Sequence, residues 1–254
     1  MNIKNFSTKL PIDTNLLSLI GRILILCRSE MREVASSIPV YLLNNIDFAK
    51  EIDSQLEQSF EFNDNPESAP STEFLGCYCD EWPVFNLSEN EKIFLCPERI
   101  FHAATRYCNG DYQGLFIKVL LHEYSHAAMA LSFFCESSGK YTWITESMAN
   151  VGALEALYTA TEKKLIDPET FKSLYKFCTI QPAAYHLGAI LSQSDFIKKS
   201  WVTANDIWNG DFDNNKVFPS ILNYFGHSDP LGKAYPNNNF TDAIIQDYEE
   251  YFLI

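Results

Sequence analysis

Residues 119–131 read V-L-L-H-E-Y-S-H-A-A-M-A-L, an apolar run with His122-Glu123-Tyr124-Ser125-His126 at its centre. This is an H-E-x-x-H pattern. On a helix, positions four apart lie one turn apart on the same face, so both imidazoles address one ion with Glu123 beside them. Catalytic zinc takes three protein ligands and leaves a fourth position to water. The stretch therefore predicts a buried helix that supplies two zinc ligands, His122 and His126, and a carboxylate, Glu123, placed to act on water.

A third ligand has to arrive from downstream. The continuation H-E-x-x-H-x-x-G-x-x-H is broken, because Met129 stands at the glycine and Ser132 at the third histidine. Residues 143–150 read W-I-T-E-S-M-A-N and put Glu146 twenty residues after His126. Here the chain resembles the gluzincins, the thermolysin-like metallopeptidases. The resemblance implies that Glu146 is the third zinc ligand, on the next helix, and that Asn150, one turn later, braces a zinc histidine from behind. Asn150 stands where that family has aspartate; asparagine still orients an imidazole but adds no negative charge. Glu136, ten residues after His126, is the competing ligand and ranks lower because it falls in the turn over residues 135–139.

Two β-like runs precede the helix, at residues 74–79 and 92–96. Gly76-Cys77-Tyr78 and Ile93-Phe94-Leu95 are similar to the G-x-Y and I-x-L strands of gluzincins. The resemblance implies that one of them is an edge strand that pairs with extended substrate; two ordinary core strands are the alternative. It covers about residues 74–157 and assigns neither end of the chain.

Elsewhere the pattern is mainly helical. Leu17, Ile20, Leu24, Cys27, Met31 and Val34 recur at helical spacing and predict one amphipathic helix over residues 15–36. Its apolar part loosely imitates a signal peptide, but Arg22 interrupts it, no small-residue cleavage site follows, and it is too short to span a membrane. A shorter helix is expected over 45–60, then a polar linker over 61–72 with two prolines. Residues 98–107 predict a helix closed by Asn109-Gly110, with His102 in a structural or surface place on it. Asp111 is expected to cap the active-site helix. The helix bearing Glu146 is expected over 145–163. Asp167-Pro168-Glu169 opens another, and Gln181-Pro182 one more. The fold expected is α+β and mostly helical: a small mixed or antiparallel sheet over the H-E-x-x-H helix, followed by a helical C-terminal subdomain. Its parts are an N-terminal helical segment (1–60), a zincin-like core (73–163) and a helical remainder (164–254), forming one compact unit.

Composition sets the partners. The formal charge is −14 with no cluster of Lys or Arg, which argues against nucleic acid and anionic membrane. Seven cysteines, several in apolar runs, favour reduced buried thiols in the cytoplasm over a disulfide framework, with secretion the alternative. Cys77 and Cys79 would share one strand face, but further ligands for a second metal are not found. Asp211-Phe212-Asp213-Asn214-Asn215 resembles a calcium loop that fails at Lys216 and Leu222, where glycine and a bidentate glutamate are needed.

The function expected is zinc-dependent hydrolysis of peptide bonds in a peptide or protein substrate, with one zinc per chain and Glu123 as general base. The resemblance also implies a Tyr or His that holds the oxyanion; Tyr185, His186 and His227 are open candidates, with Tyr185 slightly preferred. No G-x-M-E-N segment occurs, so an endopeptidase is the default. The alternatives are a latent or inactive zincin-like protein that binds or regulates, and an all-helical interaction domain with accidental histidines.

Overall fold

The computed structural model describes residues 1–10, 12–53, 74–79, 91–130 and 142–179. The order of elements is strand β1 (Asn2–Asn5), helices α1 (Thr14–Leu24) and α2 (Ser29–Ser37), strand β2 (Pro39–Leu42), and helix α3 (Asn45–Phe48) running into a π turn (Ala49–Asp53). Strands β3 (Gly76–Cys79) and β4 (Lys92–Leu95) follow, then helices α4 (Pro97–Tyr107), α5 (Tyr112–Ala130), α6 (Thr142–Glu162) and α7 (Pro168–Thr179). The described chain is mostly helical, with one four-stranded mixed sheet in the order β1-β2-β4-β3. Strands β1, β2 and β4 run parallel, while β3 lies antiparallel to β4 with Cys77 opposite Phe94. The expected pair of runs at 74–79 and 92–96 is thus this antiparallel pair, and it makes up half of the sheet.

The other half corrects the sequence reading. The segment expected to be only helical over 1–60 contributes β1 and β2, and β2 is hydrogen-bonded to β4 in the middle of the sheet. The single helix expected over 15–36 is two. Arg28 has extended backbone, with φ −55° and ψ 153°, and its guanidinium reaches Glu155 on α6 at 3.2 Å. That turn lets α1 and α2 pack on different neighbours while keeping Leu24, Cys27 and Met31 in one core. The helix expected from residue 45 appears as α3 and its π turn; residues beyond 53 on that stretch lie outside those described.

Local signals explain the boundaries. Asp13 Oδ1 accepts the Leu16 N–H at 2.7 Å to cap α1. Asn109 and Gly110, at φ 53° and 81°, end α4 in the left-handed conformation glycine favours. Asp111 Oδ1 then accepts the Gly114 N–H at 2.8 Å and caps α5. Pro168 opens α7, with Asp167 Oδ1 on the Glu169 N–H at 2.8 Å.

Helix α5 is the centre of the core. Leu115, Phe116, Ile117, Val119, Leu120 and Leu121 are all at most 4% exposed, and each contributes about 2 kcal/mol of burial. It packs against α6, α2, α4 and one face of the sheet. Val40, Leu42, Ile93 and Leu95 point to that face, whereas Tyr41, Leu43, Phe94, Cys77, Cys79 and Cys96 build a smaller core on the other, closed by Phe48 and Ile52. Arg99 of α4 ties the second core together. Its guanidinium takes Asp53 with two bonds at 2.6 and 3.0 Å, Asn45 Oδ1 at 2.6 Å and the Phe74 carbonyl at 3.1 Å. Among the described residues no helix is long and apolar enough to cross a membrane.

Candidate metal centre

Helix α5 presents His122 and His126 on one face, and α6, packed against it, presents Glu146 to them. His122 Nε2 lies 3.1 Å from His126 Nε2 and 3.1 Å from Glu146 Oε2, and His126 Nε2 lies 3.4 Å from Glu146 Oε1. Two donors bound about 2.0–2.1 Å from a tetrahedral ion stand about 3.3 Å apart, so the two ring nitrogens, and each of them with one carboxylate oxygen of Glu146, are close to the spacing of donors on one zinc. Two imidazoles and a carboxylate are also the donor types zinc accepts. These three residues, His122 buried and the other two partly buried, form a group that could hold a metal ion, the one such group among the described residues.

The surroundings orient the donors. Asn150 Oδ1 lies 3.1 Å from His122 Nδ1, and Asn150 is fully buried one turn after Glu146 on α6. With Nδ1–H donating to that oxygen, His122 keeps its Nε2 lone pair facing the triad. Glu123 is 5% exposed and turns its carboxylate toward strand β3, where Oε2 accepts the Tyr78 N–H at 2.8 Å.

Charge is divided unevenly here. Burial holds His122 down to about 4, so it is neutral. Burial would lower His126 too, but the Glu146 carboxylate facing it wins and raises it above 6.5. Burial alone would raise Glu146, yet the facing His126 and the bonds from both imidazoles keep its carboxyl well below the usual carboxylate range. The Glu146 carboxylate thus favours the protonated form of His126, while burial keeps His122 neutral. Burial pushes Glu123 up to about 7.

These shifts predict a reversal of sign. The folded state holds the His126 and Glu123 protons more tightly than the unfolded chain does. Their stabilisation is present below the unfolded values, 6.5 and 4.5, and fades as pH rises through the folded ones. Zinc must displace the His126 proton, so its own stabilisation grows over the same range. Between about pH 6.5 and 8 the melting temperature of the chelator-treated protein should fall while that of the zinc-loaded protein rises. Parallel slopes would show that the His126 proton does not compete with metal.

Of the other residues read from sequence, His102 is exposed on α4, remote from the triad in its contacts. Cys77 and Cys79 share a strand face with their sulfurs 3.5 Å apart, in the core on the far side of the sheet from α5. The competing ligand Glu136, the oxyanion candidates Tyr185, His186 and His227, and the loop at 211–215 all lie outside the described residues. Sequence reasoning placed Tyr78 in a strand but missed the contact of its main chain with Glu123, and it missed Lys118, buried one turn before His122 with its ammonium 5.9 Å from the Phe177 ring centre. A lysine inside the run L-F-I-K-V-L-L was a visible signal for the second; a main-chain contact leaves none for the first. No protein-family model, curated protein or solved structure matches this chain.

Proposed function

We propose that the chain is a zinc-dependent metallopeptidase of the gluzincin type, with one zinc per chain and an endopeptidase action on extended peptide or protein substrates. The observation that carries the reading is the close spacing of His122, His126 and Glu146 with the Glu123 carboxylate on the same helix turn. A zincin-like core accounts for the rest of the arrangement: an antiparallel edge strand beside the histidine helix, and the third ligand on the next helix.

Zinc held by the triad would supply a Lewis acid that polarises the scissile carbonyl and acidifies water. The remaining work falls to side chains and backbone. Glu123 takes the proton of the attacking water and delivers it to the leaving amine. Tyr78 N–H binds Oε2, which leaves Oε1 for that transfer. Asn150 keeps His122 in the tautomer that can bind metal. Leu75 C=O pairs inward with Cys96 N–H at 3.0 Å, so Gly76 and Tyr78 turn their peptide groups away from β4; with the Tyr78 N–H on Glu123, an added substrate strand would pair through the Gly76 end of β3. The net charge of −14 disfavours nucleic acid and anionic membrane as partners, and the buried free cysteines among the described residues suit the reducing cytoplasm.

The test is an unbiased peptide mixture offered to the zinc-loaded protein and to the same protein stripped by a chelator. Cleavage restricted to the loaded sample, and restored by added zinc, supports the peptidase. Silence from a sample that holds stoichiometric zinc would move the reading to a zincin-like protein that binds or regulates without hydrolysis.

A further inference from the structure

We propose that Gly76 is a positioning residue for Glu123, a deepening that rests on the peptidase reading: the bare backbone at Gly76 and the Tyr78 N–H together form a cradle that fixes the carboxylate. A Cβ at position 76 would lie 3.0 Å from Glu123 Oε1, 3.0 Å from Val119 Cγ1 and 2.8 Å from Leu95 Cδ2. Gly76 sits in a regular strand opposite Leu95, so the glycine serves space. Contacts that short oblige a neighbour to move, and the three are not equally able to do so. Val119 and Leu95 are 4% and 0% exposed among packed methyl groups. Val119 is also β-branched on a helix, with one strongly preferred rotamer.

The Glu123 side chain is the flexible member, anchored at its tip by the 2.8 Å bond to Tyr78. A methyl group at 76 would therefore displace Oε1, the oxygen left for proton transfer, or push β3 away and stretch the Tyr78 bond. In either case the base moves while His122, His126 and Glu146 keep their mutual contacts. Misplacing a reacting group by about 1 Å lowers turnover by about a hundredfold.

Two measurements on full-length, zinc-loaded protein test the cradle. For Gly76→Ala, kcat should fall by about ten- to a hundredfold with KM within about twofold and zinc affinity unchanged. A kcat within about threefold of wild type, with zinc bound, would overturn the proposal. Should that variant fail to fold, the Gly76→Ala/Leu95→Ala pair removes the closest clash, keeps the one with Oε1, and decides by the same criterion. The second measurement is amide exchange at Tyr78, which needs no peptidase activity. Glu123→Ala and Gly76→Ala should each lower its protection by about tenfold or more. Unchanged protection in Glu123→Ala would sink the cradle. A wild type that cleaves nothing but loses Tyr78 protection in both variants would reject the peptidase and keep the cradle.

Discussion

Glu123→Gln is expected to lower kcat by about two to four orders of magnitude while the protein keeps its zinc. Glutamine has the same length, and its amide oxygen can still accept the Tyr78 N–H that holds Oε2 at 2.8 Å. What disappears is a basic oxygen that can carry a proton from water to the leaving amine. The fold should tolerate the change, because burial already pushes the Glu123 carboxyl up to about 7 and a neutral amide suits so enclosed a site. Steady-state kinetics beside zinc analysis by atomic spectrometry checks both halves. Turnover within about threefold of wild type would remove Glu123 from the proton transfer.

Arg99→Met should destabilise the protein by about 3 kcal/mol and lower its melting temperature by about 10 °C. The Arg99 side chain is 6% exposed, and methionine fills much of its volume without its donors. Asp53 would lose both its bonds, and Asn45 Oδ1 and the Phe74 carbonyl one each. The Phe48 ring would also lose the guanidinium carbon 4.9 Å from its centre. Asp53, at 25% exposed, stays within reach of water, which keeps the loss at the lower end for an ion pair broken from one side. Arg99→Lys should recover only part of it, since an ammonium cannot reproduce the paired fork. Denaturant unfolding of the three proteins measures this; a loss below about 1 kcal/mol would show that the clamp adds little. Because the Phe74 carbonyl leads directly into β3, the Met variant should also loosen the strand that touches Glu123.

The two histidines were legible because their spacing is local: His122 and His126 are one helical turn apart. Glu146 and Asn150 repeat that interval on α6, but it was the resemblance to gluzincins that grouped them with the histidines. The strands of the first forty-two residues were not legible. β2 reads P-V-Y-L and is buried on both faces, Val40 and Leu42 toward α5 and Tyr41 toward the second core, so it shows no alternation. β1 reads N-I-K-N, which has no strand signature beyond its parallel partner. The break at Arg28 was hidden because the apolar period runs on through Cys27 and Met31, while the partner of its side chain, Glu155, lies 127 residues away. Gly76 was read as part of a strand motif. Its closeness to Glu123 comes from laying β3 across α5, a tertiary fact that no spacing within either segment encodes.

An exposed strand edge invites other chains to add themselves, and proteins blunt such edges to stay dispersed. In β3 the N–H of Tyr78 faces away from β4 but is occupied by Glu123 Oε2. A stray strand docking there would meet a carboxylate where it needs a donor. At the opposite edge β1 is four residues long and bears Asn2, Lys4 and Asn5, too short and polar to template a fibril. The contact that aims Glu123 thus also removes one donor that an intruding strand would need on β3.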